Sequence, residues 1–129
     1  MFEVKIFTLY PDMYPGPLNN GIYNKARENN LWDLKVINMR NYATDKHNSV
    51  DDTPFGGGSG MLLRPDVVAS ALDKNLKKDD ITIYLSPKGK KFDQQVAKRF
   101  SEQKKLNLLC GHFEGIDQRL LDSRNIEEY

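Results

Sequence analysis

Four short apolar segments recur along the chain with helical patterns between them, and this alternation constrains the fold more than any other feature. The segments are Val4–Leu9, Leu34–Met39, Ile81–Leu85 and Leu106–Cys110. Their length and apolar content suit buried strands. Ile22, Tyr23 and Ala26 mark one face of a first intervening helix, and Val67, Val68, Ala71 and Leu72 the face of a second. Phe92, Val96 and Phe100 stand four apart in a third helix, and Ile116 with Leu120 begins a fourth. The order β-α-β-loop-α-β-α-β-α predicts an α/β fold, a mostly parallel sheet flanked by helices, because parallel neighbours need long crossovers.

One stretch breaks the pattern. Arg40–Arg64 is polar, glycine-rich and without a clear period. Long structureless loops inside a domain are uncommon and are often functional. Gly56, Gly57, Gly58 and Gly60 allow the backbone to approach a ligand closely, but no Gly-Lys-Ser/Thr ending follows, so the run is a poor P-loop. With little apolar surface to offset ordering entropy, Arg40–Arg64 is expected to be the most mobile interior segment.

Ligands of open parallel sheets collect outside the carboxyl ends of the strands. Two loops occupy such positions: Tyr84-Leu85-Ser86-Pro87-Lys88-Gly89, and Cys110-Gly111-His112-Phe113-Glu114-Gly115-Ile116-Asp117. Gly111 opens backbone groups to a flat ligand, Phe113 offers a ring, and Glu114 is a charge that a core would not accept unpaired. Each residue also has a plainer reading. Tyr84 and Phe113 suit a core, Ser86 suits a turn cap, and Glu114 and Asp117 suit the first turn of a helix.

Charge and cysteine usage narrow the classes. The 129 residues carry a formal charge of +1, with 39% hydrophobic and 29% charged residues, the balance of one ordinary folded domain. Nucleic acid is not announced by a global basic excess. The cations Lys88, Lys90, Lys91, Lys98, Arg99, Lys104 and Lys105 nevertheless cluster in Ser86–Lys105 against Asp93 and Glu102, as a solvated helix face or as a patch for phosphates. Cys110 is the single cysteine and is expected to be a buried, inert thiol. His47 and His112 lack metal-ligand spacing, and Asp51 with Asp52 is an adjacent carboxylate pair without a third ligand. No apolar stretch is of membrane-spanning length and the opening alternates apolar and charged residues, so no membrane partner and a cytoplasmic location are expected.

Taken together, four motifs resemble the bacterial tRNA (guanine-N1)-methyltransferases of the TrmD family. They are Phe7-Thr8-Leu9-Tyr10-Pro11-Asp12-Met13, Val50–Met61, Tyr84–Gly89 and Cys110–Arg119, in this order and spacing. The resemblance runs through the whole chain. It implies methyl transfer from S-adenosylmethionine to N1 of the guanine 3′ of the anticodon in tRNA, by a homodimer. It also implies a SPOUT methyltransferase domain over 1–129, whose carboxyl-terminal part is threaded into a trefoil knot. By motif match, Tyr84, Leu85, Ser86, Pro87, Gly111, Phe113 and Gly115 would contact the cofactor, and Glu114 would hold the target guanine. Magnesium is implied as well, without ligands identifiable in this sequence.

Two features depart from the family pattern. His112 and Phe113 stand where arginine and tyrosine are common, removing a permanent cation and a hydroxyl. Family members also continue beyond the position of Tyr129 with a segment that closes the cofactor pocket, then a linker and a helical domain. The family's general base, an aspartate, and an essential arginine lie there. The chain is therefore expected to stop before the knot is complete, to contain no catalytic residue, and to be inactive alone. Two rival readings are a non-catalytic RNA-binding α/β module using Ser86–Lys105, and a metal-dependent hydrolase using Asp51, Asp52 and His47.

Overall fold

Parallel strand pairing organises the molecule in a computed structural model that describes residues 1–43, 51–52, 62–111 and 115–129. The strands β1 (Phe2–Thr8), β2 (Trp32–Asn38), β5 (Thr82–Tyr84), β6 (Lys105–Leu109) and β7 (Ile126–Glu128) form one sheet in the order β2-β1-β6-β5-β7. Every pairing in it is parallel. All five carboxyl ends therefore lie on one edge. The strands β3 (Asp51–Asp52) and β4 (Leu62–Leu63) make a separate antiparallel pair.

The crossovers are α1 (Gly21–Glu28), α2 (Pro65–Asn75), α3 (Gln94–Ser101) and α4 (Gln118–Ser123). Pro65 opens α2 where its missing N–H costs nothing, and Asp66 complements the helix dipole. Val67, Val68, Ala71 and Leu72 then bury one face of α2. Asp93 caps α3 by accepting from the Val96 N–H at 3.0 Å, and Asp117 caps α4 by accepting from the Arg119 N–H at 2.9 Å. On one side of the sheet Phe7, Ile37, Tyr84 and Leu109 pack with α2 and with Leu120 and Leu121 of α4. On the other side Ile83, Phe100 and Tyr129 form a smaller core with Val96, Leu106 and Leu108.

Several expectations need correction. The first helix forms, but Ile22 is 76% and Tyr23 55% exposed, and no residue of α1 is buried. An apolar stripe fixes a face; it does not supply a surface to cover it. Phe92 precedes α3 rather than belonging to it, although its ring still stacks on Phe100 at 6.2 Å. Ile116 likewise precedes α4 and bridges to Leu63. Arg40–Arg64 is not wholly structureless: a 3-10 turn covers Met39–Tyr42, and β3 and β4 lie within it. The remainder, 44–50 and 53–61, lies outside the described residues.

The strand β7 has no apolar pattern in the sequence to mark it. Its Tyr129 end faces β5, donating N–H to the Tyr84 carbonyl at 2.9 Å and accepting from the Ser86 N–H at 2.7 Å. Successive residues of a strand direct their main-chain groups to opposite edges. The Glu128 carbonyl accordingly points away from β5, yet it accepts from the Lys90 N–H at 3.1 Å. The segment leaving β5 is thus bonded to both edges of β7 and passes across its end.

Candidate functional site

The carboxyl ends of β5, β6 and β7 converge, and Tyr84 is the residue around which they meet. Its side chain is 7% exposed on the α2 and α4 side of the sheet. A Cβ at Gly111 would lie 2.8 Å from the Tyr84 ring edge, and one at Gly115 would lie 3.3 Å from the Tyr84 hydroxyl. The two glycines therefore let the chain beyond β6 pass close over the ring. Gly115 has φ of +118°, a left-handed conformation that favours glycine. Burial and then the Glu128 carboxylate push the Tyr84 phenol above its ordinary pKa, so it stays a neutral hydroxyl.

Of the residues predicted for the site, Tyr84, Gly111 and Gly115 are brought into contact. Leu85 is 62% exposed and lines an apolar groove of about 370 Å³ with Ile83, Phe92 and Phe100, on the α3 side of the sheet. Pro87 is exposed in the turn beyond β5. Ser86 is engaged within the protein: its hydroxyl donates to the Glu128 carboxylate and accepts from the Lys88 N–H at 3.2 Å. The turn-cap reading of Ser86 therefore holds. Phe113 and Glu114, with His112, lie outside the described residues.

Two neighbours carried no signal in the sequence. Leu63 is 1% exposed and donates its N–H to the Gly115 carbonyl at 3.0 Å, which brings the end of the glycine-rich segment to the site. Glu128, 42 positions from Ser86, reaches it only through the pairing of β7 with β5. No spacing rule links residues that meet through strand order.

Other candidate chemistry is plainly structural. Cys110 accepts a hydrogen bond from the Tyr14 hydroxyl at 3.3 Å, and burial pushes its thiol up, away from the reactive thiolate. Asp117 serves as a helix cap and pairs with Arg119 at 2.7 Å; that guanidinium holds its carboxyl below the usual carboxylate range. Among the described residues no three His, Cys, Asp or Glu side chains gather as metal ligands. His47 lies outside the described residues, and Asp51 and Asp52 form β3. A polar groove of about 300 Å³ lies at the amino ends of β5 and β7, and in it Arg124 is paired with Asp73 at 2.9 Å. Among the described residues no helix is long and apolar enough to cross a membrane.

The basic stretch divides between the two sheet edges. Lys88, Lys90 and Lys91 are exposed beside the converging strand ends, whereas Lys104 and Lys105 lie at the start of β6, on the opposite edge. Arg99 is turned to β7, donating to Glu127 at 2.8 Å and to the Tyr129 hydroxyl at 2.6 Å.

Comparison with known proteins matches residues 2–129 to the family model described as tRNA (Guanine-1)-methyltransferase TrmD. A tRNA (guanine-N(1)-)-methyltransferase of Pelagibacter ubique (strain HTCC1062) is 61% identical over 128 residues, covering 99% of this chain and 56% of the relative. One from Wolbachia pipientis subsp. Culex pipiens (strain wPip) is 47% identical over 123 residues, covering 94% of the chain and 53% of the relative. One from Alkaliphilus oremlandii (strain OhILAs) is 50% identical over 127 residues, with coverages of 92% and 51%. The chain thus spans about half the length of the curated relatives it matches.

Proposed function

The chain belongs to the TrmD family of tRNA (guanine-1)-methyltransferases, and from that membership we propose that its enzyme transfers a methyl group from S-adenosylmethionine to N1 of the guanine 3′ of the anticodon in tRNA. The observation that carries this reading is the meeting of Tyr84, Gly111 and Gly115 at the carboxyl ends of β5 and β6, where parallel sheets hold their ligands. The residues suit such a cofactor. Gly111 is exposed at a strand end, so its main-chain groups are open to the edge of a flat adenine. Leu85 and Pro87 are exposed in the segment leaving β5, apolar surface that a bound ligand would remove from water.

When bound, S-adenosylmethionine supplies an electrophilic methyl group on a sulfonium. The chain's own part is to bind and orient. We assign Tyr84–Pro87 to one wall and Gly111 with Gly115 to a second that the Tyr84 ring underlies, and Phe113 is a cofactor contact by family resemblance alone. Glu114 accepts from the two adjacent donors of guanine, N1–H and the exocyclic amine, which a carboxylate matches in charge and geometry. Fixing N1 in this way lowers the entropic part of the barrier, and a general base must take the N1 proton as the N–C bond forms and the S–CH3 bond breaks. Lys88, Lys90 and Lys91 supply phosphate contacts beside the site. No ligand set for magnesium is proposed, because the described residues bring no three suitable side chains together.

The fold we propose is the SPOUT type over 1–129, with the segment from Ser86 to Lys90 lying where the family's trefoil knot forms. Its bonding to both edges of β7 supports this. A homodimer is proposed too. The apolar groove of about 330 Å³ formed by Val4, Ile6, Tyr23, Trp32, Leu34 and Leu108, with others, is the kind of surface that a second subunit would cover. An RNA-binding module without chemistry, or a metal-dependent hydrolase, leaves unexplained why methyltransferases match 92–99% of this chain. Calorimetric titration of the intact enzyme with S-adenosylmethionine tests the site. Binding that Gly111→Val abolishes is expected, and binding indifferent to Gly111→Val would overturn it.

A further inference from the structure

Glu128 grips the loop beyond β5 at two points. Its carboxylate accepts from the Ser86 hydroxyl, and its main-chain carbonyl accepts from the Lys90 N–H at 3.1 Å. Between those points Gly89 lies so close to the Tyr129 main chain that a Cβ there would overlap it. A serine hydroxyl has one proton. Here that proton is committed to Glu128, while the oxygen accepts from Lys88 and the Ser86 main chain bonds to Tyr129 and Gly89. Ser86 therefore offers no free donor to a ligand, and its side chain fixes the course of its own loop. The strand bearing Glu128 is itself held, since Arg99 of α3 binds both Glu127 and the Tyr129 hydroxyl.

We propose that Glu128 is a positioning residue for cofactor binding, acting through Ser86 to hold the wall Tyr84–Pro87 in its binding shape. This rests on the reading of that wall as part of the S-adenosylmethionine site. A hydroxyl bonded to a carboxylate is held more firmly than one bonded to a neutral acceptor. A preorganised wall leaves less ordering to be done when the ligand arrives.

The test uses the intact enzyme, with calorimetric binding of S-adenosylmethionine, steady-state KM for tRNA and thermal melting measured in parallel. Glu128→Ala should weaken cofactor binding by about tenfold to a hundredfold, with the KM for tRNA little changed. Glu128→Gln should restore most of the affinity, because its amide oxygen still accepts from Ser86. Ser86→Ala should reproduce the loss, and the double variant should be no worse than either single one. Wild-type affinity in Glu128→Ala or in Ser86→Ala would overturn the proposal. So would an equal loss in the Ala and Gln variants, accompanied by lower melting and a raised KM for tRNA, the pattern of a merely structural residue. If Glu128→Ala fails to fold, Ser86→Ala decides alone by the same criterion. Absence of cofactor binding by the unaltered enzyme would overturn the methyltransferase reading and this inference with it, whereas binding unaffected by the variants would overturn the inference alone.

Discussion

The ring of Tyr84 lies directly against Gly111, so close that a methyl group at position 111 would stand 2.8 Å from the ring edge. Tyr84 is 7% exposed and belongs to the core cluster that also contains Leu120 and Leu121 of α4. Gly111→Ala is therefore predicted to destabilise the fold by about 1–3 kcal/mol, the usual cost of an overpacked site. Adding Tyr84→Leu should recover part of that loss, since it removes the ring the methyl meets. Urea unfolding of the two single variants and the double variant measures this. Strict additivity would mean that the two positions are not in contact.

A second prediction concerns Gly89. A side chain there would meet the Tyr129 main chain rather than a flexible side chain, so the loop and β7 cannot both keep their places. Gly89→Ala should cost at least as much as Gly111→Ala, again about 1–3 kcal/mol by the overpacking scale. Amide exchange should locate the loss, with protection falling first at Tyr129 and Lys90, whose N–H groups donate to the Tyr84 and Glu128 carbonyls on either side of this contact. Protection unchanged at both amides would contradict the close packing of the loop against the Tyr129 main chain.

A third prediction is a pH dependence. Asp117 caps α4 and its carboxyl is held below the usual range, first by the Arg119 side chain and then by the Arg119 N–H. A carboxyl lowered in the folded state stabilises above its unfolded value, about 3.9. That contribution is lost as pH falls through the lower folded value. Asp117→Ala should therefore cost about 1 kcal/mol at neutral pH and progressively less in acid. Parallel denaturation curves at neutral and acid pH test it; a gap between the two proteins that widens in acid would refute the capping role.

How much of this was legible beforehand follows from particular residues. The four predicted strands all formed because their apolar residues are confined to short runs whose burial on a sheet has few alternatives. Ser86 could be read as a turn cap, since hydroxyl-to-backbone bonds are local. Ile126-Glu127-Glu128 carries two carboxylates in three residues and has no strand signature. It pairs because β5 offers a free edge and the loop at Lys90 bonds its other side, a tertiary effect that propensity does not contain. The same holds for Glu128 and Leu63 as neighbours of the site. The apolar face of α1 was legible as a face but not as an exposed one, because period says nothing about what covers it.

The role proposed for Glu114 gives a fourth prediction. In the intact enzyme Glu114→Gln keeps one acceptor but sets an amide donor against the donors of guanine. Leaving a buried group unsatisfied costs roughly 1–3 kcal/mol, so tRNA methylation should fall by about tenfold to a hundredfold. Cofactor affinity, measured by calorimetry, should hardly change. An equal fall in both would move Glu114 out of guanine recognition.

The central claim is that this chain belongs to an enzyme that methylates N1 of the guanine following the anticodon, and nucleoside mass spectrometry tests it most directly. The intact enzyme is incubated with methyl-labelled S-adenosylmethionine and a transfer RNA bearing that guanine, beside the same RNA with adenine at that position. The account predicts labelled N1-methylguanosine from the first RNA alone. No label in either RNA, or label on another base or another atom of guanine, would contradict it.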